Sequence, residues 1–202
     1  MPEPFTTLTA VAAPLDLANV DTDQIMPARF MRRPRDARYV AYGFHDLRFT
    51  PEGEKRPDFI LNQAPFDAAG ILVAGRNFGV GSSREAAVYA LLAMGFRAVV
   101  ADSFGDIFHS NALKNGLLPV KLPPAAVAAL REAVAAAPGA RITVDLQRQV
   151  LTAPDGTQHG FAIPPFARDC LLRGLDEIGL TLTLAADIAA YEARRGLSPS
   201  GA

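Results

Sequence analysis

The chain has 202 residues, 50% hydrophobic and 20% charged, with 20 Lys and Arg against 21 Asp and Glu. That length supports a sizeable buried core, and the near-neutral balance argues against a nucleic-acid surface or a basic membrane-binding face. A single cysteine, Cys170, excludes an internal disulfide and leaves too few thiolates for an iron–sulfur or thiolate zinc site built by this chain. The N-terminal stretch has early acids and no long apolar run, so no signal peptide is expected. The longest apolar runs are too short, or too interrupted by charge, to cross a bilayer. A soluble, cytoplasmic protein is expected.

Residues 6–13 read as a first strand, followed by the polar segment NVDTDQIMPARFM. Residues 32–57 are rich in Arg, Pro, Gly and aromatics without clear periodicity, and read as a long excursion rather than part of the core. GILVAG at 70–75 is a short buried strand running into a glycine loop, and 83–94 carry helical spacing that ends at Gly95. RAVVAD at 97–102 reads as a second buried strand, 104–116 as a helix stopped by Gly116, and LLPVKL as extended chain. Pro123 and Pro124 open an Ala-rich helix to Ala137. Residues 141–146, 149–153 and 158–163 read as antiparallel strands, with PDG at 154–156 as a turn. Helical pieces at about 165–177 and 186–195 follow, and 196–202 read as a frayed tail. The strand–loop–helix–strand–helix order in the middle implies a parallel βαβ core with antiparallel strands around it. A mixed α/β fold in a single domain over 1–202 is expected.

The stretch GRNFGVGSSREAAVYAL, residues 75–91, carries the chemistry. A dinucleotide-binding loop fails because Arg84 stands where the third glycine belongs, and a P-loop fails for want of a lysine. One reading is a tight turn with Ser82 or Ser83 as helix N-cap. The other is an anion site. Gly79 and Gly81 let backbone approach a ligand, N–H groups at a helix start favour negative charge, and Arg84 offers a carboxylate two hydrogen bonds. The same donors would hold a serine as its alkoxide, a base for a carbon-bound proton, and the anion would be a small carboxylic acid. A second polar cluster sets Asp21 and Asp23 beside Arg29, Arg32, Arg33 and Arg35, with a solvated charged loop as the alternative. His45, His109 and His159 lack ligand spacing, so no metal site is expected, and Cys170 reads as an inert thiol.

NVDTDQIMPARFM, NFGVGSSRE, ADSFGDIFHSNALKNGLLPV and GLDEIGLTL, in that order, resemble the small subunits of bacterial 3-isopropylmalate dehydratases, in the aconitase superfamily. YGFHDLRF resembles their version of the excursion. The resemblance implies a swivelling β/β/α domain like the fourth domain of aconitase. It implies Ser82 as catalytic base, Arg84, Asp23, Ser83 and Arg32 as substrate contacts, and Gly79 and Gly81 as the anion loop. Phe30, Met31, Arg32 and Arg33 would form the loop that reads the substrate's side group, with Arg33 and Arg35 as alternatives to Arg32. Departures are Ala86 and Asp169, where relatives often carry histidine, and FGDIFHSN for a more usual FADIFYGN. They spare the catalytic groups but leave homoaconitate, 2-methylmalate and dimethylmalate chemistry as alternatives.

The implied reaction interconverts 2-isopropylmalate and 3-isopropylmalate through 2-isopropylmaleate, in leucine biosynthesis. A C–H beside a carboxylate is weakly acidic and hydroxide leaves poorly, so a base and a Lewis acid are both needed. Ser82 would be the first. A [4Fe–4S] cluster, which the family holds in its large subunit, would be the second, with no cofactor bound by this chain. The expected partners are that cluster-bearing large subunit, in a heterodimer or heterotetramer, and a small 2-hydroxy dicarboxylate. The 32–57 excursion is the candidate for part of this chain's contact with the large subunit. The rival reading, a non-catalytic carboxylate-binding or regulatory subunit, explains the glycine loop and Arg84 but gives Ser82 no role.

Overall fold

The computed structural model describes residues 2–196. Strands β1 (Thr7–Leu15), β2 (Ile71–Ala74), β3 (Ala98–Ala101) and β4 (Leu118–Lys121) pair in parallel, each with the next. The sequences ILVA and AVVA are buried at every position, as parallel strands covered on both faces must be. Strands β5 (Arg141–Asp145), β6 (Val150–Thr152) and β7 (Gln158–Gly160) continue the sheet antiparallel, giving the order β4-β3-β2-β1-β5-β6-β7. There the burial alternates along β5, the mark of a sheet with one face more exposed. β1 joins the halves by changing partner along its length. Thr7–Val11 pairs with β5 and Ala12–Leu15 with β2, and burial becomes complete from Ala12 onward.

Among the described residues there are eight α-helices: α1 (Thr22–Ile25), α2 (His45–Arg48), α3 (Glu85–Ala93), α4 (Asp106–Lys114), α5 (Pro124–Ala136), α6 (Pro165–Arg173), α7 (Glu177–Thr183) and α8 (Ala185–Arg195). Helix α5 lays Val127, Leu130 and Val134, spaced three and four apart, on β1, β2 and β3. Helix α3 packs against α4 and α1. Phe44, Phe78, Phe96 and Phe108 are among the largest fully buried side chains.

Four differences from the sequence reading stand out. Helix α3 begins at Glu85, two residues later than its apolar spacing suggests, so Ser82 and Ser83 lie outside it. Residues 177–183, read as the end of one helix and a gap, form α7, whose N-cap Asp176 accepts from the Gly179 N–H at 2.6 Å. The expected third antiparallel strand at 158–163 is confined to Gln158–Gly160. The excursion at 32–57 is also no mere appendage, since Phe44 and Tyr39 are buried in the core. There the buried Arg48 guanidinium donates to the carbonyls of Val40 (2.7 Å) and Gly43 (3.1 Å) and to Asn62 Oδ1 (3.2 Å). The expected frayed tail lies outside the described residues from 197 onward.

Candidate active site

Because β1, β2 and β3 run parallel, their C-terminal ends open on one edge, the side where open α/β sheets bind ligands. Three chain segments meet there. Gly79 N–H donates to Val20 O (2.7 Å), Thr22 N–H to Val80 O (2.9 Å), Phe78 N–H to Ser103 O (3.0 Å) and Gly105 N–H to Phe78 O (2.9 Å). Asn77 Nδ2 donates to Asn19 Oδ1 at 2.8 Å. The glycine loop is therefore stitched on both sides. Gly79 is required twice over: its φ is +74°, and a Cβ there would lie 2.2 Å from the Phe108 ring. Gly81, at φ +98°, has room for a Cβ, which would meet Asp21 and Thr22 at 3.6 Å, and is required for its backbone alone.

Helix α1 is fixed by a capping box. Gln24 N–H donates to Asp21 Oδ1 (2.7 Å) and Asp21 N–H to Gln24 Oε1 (2.9 Å). That places Thr22 under the loop and Asp23 beside it. The Thr22 side chain is buried and its hydroxyl donates to Ser82 O at 3.0 Å. Asp23 Oδ1 accepts from Ala28 N–H (3.1 Å) and pairs with Arg84 Nη1, and its Oδ2 accepts from Arg84 Nη2 (2.7 Å). Arg84 Nη1 also donates to Met26 O at 3.4 Å. The Arg84 hydrogen bond holds the Asp23 carboxyl below its usual range, and Asp23 in turn raises Arg84, so the pair is ionised at neutral pH.

Arg84 is the N-cap residue of α3, in extended backbone (φ −124°, ψ 93°), and no side chain caps that helix. The reading of Ser82 or Ser83 as an N-cap is thereby set aside. Both serines are exposed, and their hydroxyls bond to no described residue. The backbone N–H groups of residues 81–84 likewise donate to no described residue. A run of donors at a loop-to-helix junction is an anion-binding arrangement. Ser83 also borders an open hollow with Glu85, Asn111, Lys114 and Asn115.

Of the expected side-group loop, Phe30 ends a 3-10 turn (Ala28–Phe30) and is half-buried, stacked on Tyr42 (4.6 Å between centroids) and tilted against His45 (4.7 Å). Arg29 lies over the same ring at 4.5 Å and pairs with Asp46. Met31 is exposed, as are Arg32 and Arg33, whose side chains bond to no described residue. Arg35 is engaged elsewhere, its guanidinium 3.3 Å from the Tyr89 ring centroid on α3. The structure thus brings Ser82, Arg84 and Asp23 together, and joins Arg32 and Arg33 to them by no direct bond. Sequence reasoning missed Thr22. Its only local signal is its place between the two acids of D-T-D. Cys170 on α6 is half-buried, and burial pushes its thiol up. Among the described residues no group of three or more His, Cys, Asp or Glu gathers to hold a metal, and no helix is long and apolar enough to cross a membrane.

The segment that builds the parallel half of the sheet and its glycine loop falls within residues 2–125, which match the family profile described as the aconitase C-terminal domain. A profile described as LeuD_N matches residues 128–165, and one for the C-terminal domain of the 3-isopropylmalate dehydratase small subunit matches residues 177–196. The chain belongs to the 3-isopropylmalate dehydratase small subunit family. A protein of that name from Rhodospirillum centenum is 51% identical over 193 residues, covering 96% of this chain and 95% of its own. Another, from Paramagnetospirillum magneticum, is 49% identical over 196 residues, covering 97% and 98%. A solved 3-isopropylmalate dehydratase from Methanocaldococcus jannaschii shares the fold at a TM-score of 0.65 and 24% identity, over 92% of this chain and 99% of that one.

Proposed function

We propose that the chain is the small subunit of a cytoplasmic hydro-lyase that interconverts 2-isopropylmalate and 3-isopropylmalate through 2-isopropylmaleate, in leucine biosynthesis, and that residues 1–202 act as one swivelling domain. The observation that carries the reading is the loop at 79–84, where a Ser82 hydroxyl and backbone N–H groups that bond to no described residue share one short segment with the Arg84 guanidinium. Ser82, as its alkoxide, takes the proton from the carbon beside a substrate carboxylate. The C–H electron pair becomes the new C=C bond as hydroxide departs from the neighbouring carbon. Return of that proton and of hydroxide, together one water, with the positions exchanged gives the isomer. The N–H groups of residues 81–84 lower the cost of the negative charge that Ser82 carries as a base.

Arg84 binds a substrate carboxylate, with Asp23 beside it, Ser83 and Arg32 as further contacts, and Phe30, Met31, Arg32 and Arg33 bordering the side group. Ser82, Ser83 and Asp23 are all exposed, which suits a site completed by another surface. We place a [4Fe–4S] cluster on that surface, in a large subunit, with the 32–57 segment as part of the contact. This chain's residues do not fit such a cluster. It needs three thiolates, and Cys170 is the only thiol here. The test is a panel of 2-hydroxy dicarboxylates assayed with the reconstituted two-subunit enzyme. The expected result is the highest kcat/KM for the isopropylmalates. A higher value for 2-methylmalate, dimethylmalate or homoaconitate would reassign the substrate.

A further inference from the structure

We propose that Thr22 and Asp23, adjacent on α1, are positioning residues that hold the base and the carboxylate-binding edge of loop 79–84 in a fixed relation. The proposal rests on the reading of Ser82 and Arg84 given above.

Gly81 is the weak point of the loop. It sits at φ +98° and has no side chain of its own to anchor it, the nearest atoms to where a Cβ would be lying 3.6 Å away on Asp21 and Thr22. Thr22 supplies the anchor that a glycine lacks. Its N–H holds Val80 O at 2.9 Å on one side of Gly81, and its hydroxyl holds Ser82 O at 3.0 Å on the other. The side chain is only 2% exposed, and α1 is itself locked by the Asp21–Gln24 capping box. One residue therefore spans the glycine and fixes the peptide that carries the base.

Asp23 does the same for Arg84. A guanidinium has five N–H donors. Asp23 engages Nη1 and Nη2 end-on, and Met26 O takes a further Nη1 hydrogen. The two that remain, Nε–H and the second Nη2–H, lie parallel on one edge, the spacing that a carboxylate accepts in bidentate fashion. The Arg84 side chain is 13% exposed, so the orientation set by Asp23 is retained. Asp23 thus does not compete with a substrate carboxylate for Arg84; it selects which edge of the guanidinium the substrate meets.

The experiment uses the reconstituted two-subunit enzyme, with 2-isopropylmaleate hydration as the assay and circular dichroism as a check on folding. Thr22→Val keeps the shape and removes the hydroxyl, whereas Thr22→Ser keeps the donor. Thr22→Val is expected to lower kcat by about ten- to a hundredfold, the scale of a misplaced catalytic group, with KM little changed, and Thr22→Ser to recover most of that loss. Asp23→Asn, at an exposed position that does not threaten folding, is expected to raise KM by about tenfold with a smaller effect on kcat. Wild-type kcat in Thr22→Val, a Thr22→Ser enzyme no better than Thr22→Val, or wild-type KM in Asp23→Asn overturns the proposal. Ser82→Ala run in parallel separates the two levels. Full activity there removes the underlying reading, whereas an inactive Ser82→Ala beside unaffected Thr22 and Asp23 variants removes only this inference.

Discussion

Gly79 and Gly81 share a left-handed backbone, yet only Gly79 has no room for a methyl group. Gly79→Ala meets both the backbone cost and the buried Phe108 ring, so a loss of about 2 kcal/mol or more is expected, against about 1 kcal/mol for Gly81→Ala. Urea midpoints of the two variants at unchanged slope measure the difference, and equal midpoints would show that the loop relaxes around Phe108. Arg84→Lys replaces a planar fork by a point charge, which leaves Asp23 partly unpaired and the substrate edge lost. A rise in KM of about ten- to a hundredfold is expected from steady-state kinetics, the scale of one or two charged hydrogen bonds. An unchanged KM would make Arg84 a purely structural partner of Asp23. Glycines, hydroxyls and an arginine in this order are conspicuous in a sequence because each is costly in an ordinary turn. Thr22 is not, because its role depends on a contact across 60 residues that forms only when β1 and β2 pair.

Element boundaries were legible wherever apolar spacing set them, as in α5 and the fully buried β2 and β3. They were not legible where a cap or a backbone angle decided. The apolar rhythm of α3 extends back to Ser83, but the extended backbone of Arg84 delays the helix and frees both serines. In α7, Gly179 and two threonines weaken helix propensity, and the Asp176 cap offsets them. The 32–57 segment lacks periodicity because it is built from a 3-10 turn, a single-turn helix and loops, held by Arg48 and by Phe44. On α4, burial holds His109 below its usual value. The unfolded chain therefore takes up a proton near pH 6.5 that the folded chain resists, so stability is complete above about pH 6.5 and falls as pH drops through the folded value. His109→Gln is expected to flatten that loss in urea titrations at about pH 8 and about pH 5.5. An unchanged pH dependence would assign the loss to other groups. In the 30–33 turn, exchanges at Met31 and Arg32 are expected to shift the relative kcat/KM among malate analogues by about 1–3 kcal/mol, whereas Phe30, stacked on Tyr42, also supports the turn. Preferences unchanged across several exchanges would move the side-group contact elsewhere.

For the whole molecule, the sequence implied a parallel core with antiparallel strands beside it, but not that β1 would lie between the two halves. That position follows from a mid-strand change of partner at Ala12, a long-range event without a local signature. The same edge of the sheet leaves Ser82, Ser83 and Asp23 facing outward, which is why we place half of the chemistry on another polypeptide. Purified alone, the chain is expected to be colourless, to contain no stoichiometric iron and to leave 2-isopropylmaleate unhydrated. Addition of the large subunit under anaerobic conditions should restore turnover, and activity in the isolated iron-free chain would refute the two-subunit mechanism. The most direct measurement compares steady-state hydration of 2-isopropylmaleate by the large subunit assembled with the wild-type chain and with Ser82→Ala, each assembly verified by size-exclusion chromatography. With Ser82 as the base, kcat falls by about a hundred- to ten-thousandfold while assembly is intact. A Ser82→Ala enzyme that turns over near the wild-type rate contradicts that assignment.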